Sequence, residues 1–196
     1  QSPLFVASQP RSGTTLLLRQ LAEDEHTFFS LSHLEWRIPS ILVWRVMDAL
    51  GLRRWIEQIN YWPDSTLGRL AGRQHPHTLG SVEEHGIFLE ERMYHHYFTF
   101  RRFPLPAVLQ RVGRLDVLTE AERRKLVNTF RAAVTKVAYY RGNGRMWLTK
   151  ENESVDYYRL LLGTFRGARV LVIRRAATAF VPSFVNMSRV CTAAKH

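Results

Sequence analysis

Cysteine is almost absent from this sequence, in which Cys191 is the single one among 196 residues. An intramolecular disulfide is therefore excluded, and so is a zinc site built from several cysteines. A chain without disulfides is typical of a reducing compartment, so we expect a cytoplasmic protein.

Long apolar runs are also missing. No stretch reaches the roughly 18 apolar residues that a membrane-spanning helix needs. The apolar run at residues 4–7 is far too short for a signal peptide and has no basic flank. We therefore expect no transmembrane segment, while peripheral contact with a membrane stays open.

Acidic residues are scarce, since 17 Asp and Glu stand against 28 Lys and Arg and leave a net charge of +11. Such a charge implies an anionic partner, and nucleic acid, an acidic membrane face and a phosphorylated small molecule all fit it. The basic residues are spread along the chain and form no tail or interleaved basic and aromatic face. We therefore expect no nucleic-acid partner.

The order of predicted elements indicates a parallel α/β sheet with helices on both faces. Strands are predicted at residues 4–7, 27–31, 146–149 and 169–173, of which the last reads as the clearest buried strand. Helices are predicted at residues 14–22, 35–50, 154–164 and from 177 onwards, and the second of them is expected to be interrupted or kinked near Pro39.

The middle of the chain, residues 51–142, reads as a helical insertion. Residues 51–81 suggest loops and short helices, and residues 82–100 a helical segment with many aromatic side chains. Thr119 is a good N-cap for a long helix that runs to about residue 140 and ends at the Arg-Gly-Asn-Gly of residues 141–144. We expect one domain over residues 1–196 that lacks a C-terminal part, because its last strand and helix need further chain to cover them.

The loop after the first strand has the composition of an anion site. It reads Gln-Pro-Arg-Ser-Gly-Thr-Thr over residues 9–15 and leads into a helix. Backbone N–H groups and the positive end of the helix converge there, Thr14 and Thr15 add hydroxyl donors, and Arg11 adds charge. Gly13 stands where the backbone would approach a ligand closely.

This loop differs from the nucleoside-triphosphate loop GxxxxGK[ST]. Aligning Gly13 and Thr15 with that motif puts Ser8 at its first glycine and Thr14 at its lysine. The lysine reaches the β- and γ-phosphates, so its absence disfavours an ATPase or kinase while phosphate binding is retained.

The segment Pro10-Arg11-Ser12-Gly13-Thr14-Thr15 resembles the 5′-phosphosulfate loop of sulfotransferases that use 3′-phosphoadenosine-5′-phosphosulfate (PAPS), especially the bacterial families and the tyrosylprotein sulfotransferases. The resemblance implies a P-loop-like sulfotransferase fold in which residues 11–15 hold the 5′-phosphate and the sulfuryl group. It also implies that the insertion at residues 51–142 forms the acceptor side.

A second resemblance lies far along the chain. These sulfotransferases bind the 3′-phosphate with an arginine at a strand end and a serine eight residues later on the next helix. Arg175 and Ser183 have this spacing, whereas Arg174 is followed at that distance by Pro182. A guanidinium and a hydroxyl can converge on one phosphate dianion. Ala176 stands where the family usually has Asp.

Sulfuryl transfer needs a base on the acceptor and positive charge at the leaving oxygen. Residues 33–39, His-Leu-Glu-Trp-Arg-Ile-Pro, resemble the segment that carries the family's glutamate base, which points to Glu35, with His33 as the competing base. Residues 146–150, Met-Trp-Leu-Thr-Lys, resemble the strand end that carries its lysine, which points to Lys150 as acid or electrostatic stabiliser.

The resemblance thus predicts transfer of a sulfuryl group from PAPS to an acceptor hydroxyl by in-line displacement, with PAPS as co-substrate and no metal. A nucleotide kinase or phosphotransferase and a non-catalytic basic module that binds anions are the alternatives. The acceptor stays open among small molecules, lipids and glycans, and the oligomeric state is not predicted. The acidic residues Glu83 and Glu84 resemble an acidic stretch of bacterial members and have no clear role.

Overall fold

The computed structural model of the protein describes residues 2–92, 94–95, 105–109, 115–152 and 155–194. Within this part of the chain a four-stranded sheet has the order β2-β3-β1-β4. All of its pairings are parallel, which confirms the predicted parallel α/β sheet. The strands are β1 (Leu4–Ala7), β2 (Phe28–Phe29), β3 (Met146–Glu151) and β4 (Arg169–Val172).

The register brings the carboxyl ends of the three longer strands to one edge of the sheet. Ala7 at the end of β1 pairs with Glu151 of β3 and with Val172 of β4. Strand β1 lies between β3 and β4, so the segments that follow β1 and β4 are neighbours. In open parallel sheets, ligands bind in the crevice at this edge, where the strand order reverses.

Most of the described helices lie between β2 and β3 in the chain. A 3₁₀ turn at Leu115–Val117 and a π turn at Ala138–Gly142 flank the longest of them. They are α1 (Thr14–Ala22), α2 (His33–Arg37), α3 (Ile41–Ala49), α4 (Leu52–Glu57), α5 (Thr66–Gln74), α6 (Gly86–Glu90), α7 (Pro106–Leu109), α8 (Glu120–Val137), α9 (Val155–Thr164) and α10 (Ala177–Ala193).

Side chains on both faces of the central strand β1 are packed, because successive strand residues point to opposite sides. Phe5 packs in the larger core cluster with Trp147 and with Phe130 of α8. Its neighbour Val6 packs in a second cluster with Leu18 of α1. This arrangement gives the predicted helices on either side of the sheet at its central strand.

Helix α8 begins where the sequence predicts. The Thr119 side chain accepts a hydrogen bond from the Glu122 N–H, and the Glu122 carboxylate accepts one from the Thr119 N–H at 2.8 Å. This capping box satisfies two backbone donors at the helix start. After the π turn the chain reverses through Asn143 and Gly144, whose φ angles are 42° and 76°.

The interruption expected near Pro39 is present, and the helix predicted at residues 35–50 forms α2 and α3 on either side of this proline, which has no N–H to continue the helical bonding. One predicted element is shorter than expected. The predicted strand at residues 27–31 is reduced to β2. Next to it, the Ser30 hydroxyl donates to the Leu148 carbonyl of β3 at 2.9 Å, so a side-chain hydrogen bond stands where a backbone strand pairing was expected.

The predicted helical segment at residues 82–100 contains α6, while residues 93 and 96–100 lie outside the described part of the chain. No helix among the described residues is long and apolar enough to cross a membrane.

The prediction that β4 is the clearest buried strand is wrong. Leu171 is 41% exposed and Val172 is 64% exposed. In the described part of the chain β4 pairs with β1 alone and forms the edge of the sheet. An apolar sequence indicates that a strand can be buried, but burial requires packing partners on each face.

Candidate functional site

The loop between β1 and α1 has the backbone shape of an anion-binding turn. Arg11 and Gly13 have φ angles of 64° and 94°, both in the left-handed region. Helix α1 begins at Thr14, so its first N–H groups face the loop. Turns that combine left-handed residues with a helix start direct N–H groups into one concavity.

The predicted loop and the predicted arginine–serine pair lie side by side. Arg11 Nε donates to Ser183 Oγ at 3.0 Å. Arg175 Nη1 donates to the backbone carbonyl of Arg11 at 2.6 Å. At the base of the loop, Ser8 Oγ donates to the Ile173 carbonyl at 2.6 Å and ties the end of β1 to the end of β4.

Two loop residues leave room for a ligand. Ser12 is buried, and in the described part of the chain its Oγ has no hydrogen-bond partner. A Cβ built on Gly13 meets no atom within 4 Å, so open space lies beside this turn. A buried hydroxyl without a partner costs free energy unless a ligand or water satisfies it. The loop therefore offers both a donor and space at one point.

A chain of polar contacts connects this loop with Lys150 at the end of β3. Thr14 Oγ1 donates to Asn152 Oδ1 at 3.1 Å, and Asn152 Nδ2 donates to Glu84 Oε2 at 2.9 Å. The same Glu84 oxygen accepts from Lys150 Nζ at 2.6 Å. Asn152 is thus a link that the sequence reasoning missed. Its position directly after Lys150 and Glu151, at the edge where ligands bind, is the signal that could have revealed it.

Lys150 is buried together with two carboxylates. Its Nζ lies 2.6 Å from Glu84 Oε2 and 3.9 Å from Glu83 Oε2. Burial lowers the pKa of Lys150, but the attraction of Glu84 and Glu83 outweighs that effect, so the pKa is raised and the ammonium stays charged. Burial raises the pKa of Glu83 to about 7, against the opposing pull of Lys150.

Glu35, the predicted base, is fully buried and engaged on both oxygens. Its Oε1 accepts from Arg53 Nη2 at 2.5 Å and from Arg141 Nη1 at 2.7 Å. Its Oε2 accepts from the Ser32 N–H at 2.9 Å and from the same Arg141 nitrogen at 2.8 Å. The Ser32 bond is half of a capping box at the start of α2. Neither arginine was foreseen, since they lie 18 and 106 positions from Glu35.

His33, the competing base, is buried and lies in a row of polar side chains connected by hydrogen bonds. Arg37 Nε donates to His33 Nε2 at 2.5 Å, and His33 Nδ1 lies 2.6 Å from His77 Nε2. Beyond His77 lie His75 and Glu83, which together with it are close enough to hold a metal ion. The sequence reasoning missed this His-Pro-His segment.

The predicted residues therefore divide into two regions. The loop 10–15, Arg175 and Ser183 share one edge of the sheet, and Lys150 reaches the same edge through Asn152. Glu35 contacts Arg53, Arg141 and the Ser32 backbone, and none of its hydrogen bonds among the described residues goes to the loop.

The fold and the sequence are both similar to those of known sulfotransferases. The structure is similar to the crystal structure of sulfotransferase STF9 from Mycobacterium avium, with a TM-score of 0.61 and 18% sequence identity. The match covers 98% of this chain and 47% of that protein, so the chain spans about half the length of that relative. No curated protein sequence gives a significant match. The sequence profile described as "Sulfotransferase family" matches residues 3–195, and the chain belongs to this family.

Proposed function

We propose that this chain transfers a sulfuryl group from PAPS to the hydroxyl of an acceptor by in-line displacement. The observation that carries the proposal is the contact between the loop and the arginine–serine pair, in which Arg11 bonds Ser183 and Arg175 bonds the Arg11 carbonyl. The 5′- and 3′-phosphates of PAPS are both attached to the same ribose. The groups that bind its two phosphates must therefore be close neighbours, as these residues are.

The loop has the donors that a 5′-phosphosulfate requires. The N–H groups at the start of α1, the buried Ser12 hydroxyl and the space beside Gly13 support its role. Arg175 and Ser183 supply a guanidinium and a hydroxyl for the 3′-phosphate. In this proposal the Arg11–Ser183 hydrogen bond breaks when PAPS binds, and both side chains then bond to PAPS.

Lys150 is proposed to stabilise the charge that develops on the leaving oxygen. Its raised pKa keeps the ammonium positive, and the Glu84–Asn152 chain connects it with Thr14 of the loop. A fixed positive charge in a buried site stabilises a developing negative charge more strongly than it would in water. Glu84 then positions Lys150 rather than reacting itself.

Glu35 and His33 are the two candidates for the base that accepts the proton of the acceptor hydroxyl. Each Glu35 oxygen already accepts hydrogen bonds, so an acceptor hydroxyl would have to displace an arginine or the Ser32 N–H. His33 accepts from Arg37 and contacts His77. We therefore propose to compare Glu35→Gln with His33→Asn in a transfer assay, where the variant that loses turnover but keeps donor-product binding identifies the base.

The acceptor is proposed to be a small molecule, lipid or glycan that carries a hydroxyl. Its binding region is the helical stretch at residues 51–142, as the resemblance implies. The aromatic side chains at residues 82–103 favour an apolar or mixed acceptor. A cytoplasmic location remains the expectation drawn from the single cysteine.

Calorimetry separates this function from its alternatives. The protein is titrated with 3′-phosphoadenosine-5′-phosphate (PAP), with ATP and with duplex DNA. We expect PAP to bind and ATP and DNA to bind weakly. Arg175→Ala should weaken PAP binding by about ten- to a hundredfold, the effect of losing hydrogen bonds from a charged group.

Arg169→Ala is the matched control, because Arg169 is an exposed arginine at the other end of β4. It should leave PAP binding unchanged. Equal affinity for ATP and PAP, or equal effects of the two substitutions, would contradict a PAPS-dependent transferase.

A further inference from the structure

Two histidines and a glutamate converge at a point that the proposed sulfuryl transfer does not use. His75 Nε2 and His77 Nδ1 are 3.3 Å apart. Glu83 Oε1 lies 3.3 Å from His77 Nδ1 and 3.9 Å from His75 Nε2. One atom of each side chain thus forms a corner of a small triangle.

The local chain explains this convergence. His75 ends α5 with a φ of −144°, and residue 78 forms an antiparallel bridge with Asn60, so the segment is extended. Side chains two residues apart in an extended segment point to the same side, which brings the rings of His75 and His77 together. The chain then turns back, and Glu83 returns beside them.

The triangle has the dimensions of a tetrahedral metal site. Zinc bonds of about 2.0–2.1 Å to histidine nitrogen and carboxylate oxygen, at tetrahedral angles, separate neighbouring ligand atoms by about 3.3 Å. Two sides of the triangle have this length, and the third, between His75 Nε2 and Glu83 Oε1, is 3.9 Å.

The carboxylate oxygen of this triangle is itself unusual. Glu83 Oε1 is buried and has no hydrogen-bond partner among the described residues. The Glu83 side chain is 2% exposed and that of His77 is 5% exposed. Burying a carboxylate oxygen without a hydrogen bond is costly, and a bound cation would reduce that cost.

We propose that His75, His77 and Glu83 bind one divalent cation of the zinc class. Two imidazole nitrogens and one carboxylate oxygen are the ligand types that Zn²⁺ and its neighbours Co²⁺ and Ni²⁺ prefer. The His75 side chain is 28% exposed, so we expect a solvent molecule to supply the fourth ligand from that side. The proposal departs from the metal-free expectation of the sequence, and the observations behind it do not depend on the proposed transfer.

The proton positions around His33 define how the metal binds. A metal on His77 Nδ1 requires the proton of that ring on Nε2, which is donated to His33 Nδ1 at 2.6 Å. His33 then carries its own proton on Nε2, where Arg37 Nε now donates at 2.5 Å. Metal binding and the Arg37–His33 bond therefore exclude each other, and Arg37, with 30% of its side chain exposed, is the group that moves.

The cation would also anchor the acidic segment beside the proposed transfer site. Glu83 directs Oε1 at the two histidines and Oε2 at Lys150 Nζ, 3.9 Å away. Glu84, the next residue, accepts from the same ammonium. Metal bound at Glu83 fixes the position of both carboxylates relative to Lys150.

The test uses the full chain without a polyhistidine tag. The protein is incubated with Zn²⁺, dialysed and analysed for metal, its melting temperature is measured with and without Zn²⁺, and Co²⁺ is added to record the visible absorption of a tetrahedral complex. We expect one Zn²⁺ per chain, a higher melting temperature and the Co²⁺ spectrum, because a ligand that binds only the folded state stabilises it.

Variants assign the result to these side chains. His75→Ala and Glu83→Gln should abolish the stoichiometric metal and the Co²⁺ spectrum, while His26→Ala, which removes an exposed histidine elsewhere, should retain both. Arg37→Met should bind Zn²⁺ about two- to tenfold more tightly, since one competing hydrogen bond is gone. Metal at background level in the unmodified chain, or metal retained by His75→Ala, would overturn the proposal. An unchanged affinity in Arg37→Met would refute the exclusion between the two bonds.

Discussion

Arg11 Nε lies 3.0 Å from Ser183 Oγ, although 172 positions separate the two residues in the chain. The contact exists because β1 and β4 are parallel neighbours, so that the loop after one strand meets the helix after the other. Each residue belongs to a separate short motif, and the fold brings the two motifs into contact at the edge of the sheet.

Ser183→Ala should weaken PAP binding by about tenfold or more, because the variant loses a hydroxyl donor to a charged phosphate. Calorimetric titration measures the effect. Ser188→Ala is the control, since Ser188 lies on the same helix five residues further along, on a different side. A Ser183→Ala protein with the affinity of the Ser188→Ala protein would exclude Ser183 from the phosphate site.

Gly13→Ala should lower both the free energy of unfolding and the affinity for PAP. A non-glycine residue at a φ of 94° costs about 1–2 kcal/mol. The new methyl group would also occupy the space beside the turn.

Gly163→Ala is the opposite case. Gly163 lies within α9, and its Cβ would meet no atom within 4 Å. This variant should gain about 0.5–1 kcal/mol of stability and bind PAP normally. Urea unfolding and calorimetry distinguish the two glycines, and a Gly13→Ala protein with full PAP affinity would contradict the assignment of the loop.

Glu35→Gln should destabilise the fold whatever its effect on catalysis. The substitution leaves Arg53 and Arg141 without a buried counter-charge. The loss should stay below the roughly 3–5 kcal/mol that a fully buried pair costs when broken, because Arg141 is 37% exposed.

Glu57→Gln is the control for this effect, since Glu57 pairs with the same Arg53 but is 29% exposed, whereas Glu35 is fully buried, so its loss should cost less than that of Glu35. In the transfer assay, Glu35→Gln should keep PAP binding and lose turnover if Glu35 is the base. Retained turnover would indicate His33 as the base instead. Unchanged stability in urea would contradict the stabilising role of the ion pairs that Glu35 forms with Arg53 and Arg141.

Thr119→Ala should cost about 1 kcal/mol of unfolding free energy, because the capping box at the start of α8 loses its side-chain acceptor. Thr135→Ala, an exposed substitution within the same helix, should be neutral or slightly stabilising, since alanine is the better helix former. Urea unfolding of both variants measures the difference, and equal midpoints would show that the cap does not contribute.

Much of the fold could be predicted because its signals are local. The strand at residues 4–7, the helix at 14–22 and the N-cap at Thr119 occur as predicted. Each depends on a few consecutive residues whose apolar pattern, glycine or capping side chain determines the backbone. The exposure of β4 could not be predicted, because burial depends on what packs against a strand and not on the composition of the strand itself.

The sequence by itself determined the residue types and spacings of the candidate site: the loop at residues 10–15, Arg175 with Ser183 eight positions later, and Lys150 at a strand end. Spacing along a chain limits where side chains can point, but it does not specify which groups from distant segments will meet.

Only the tertiary structure decided those meetings. It pairs Glu35 with Arg53 and Arg141, seats Lys150 between two carboxylates, and brings His75, His77 and Glu83 within 3.9 Å of one another. The physical reason is that ion pairs and ligand triangles depend on distances of a few ångströms between atoms. Such distances are established by the packing of whole helices and strands.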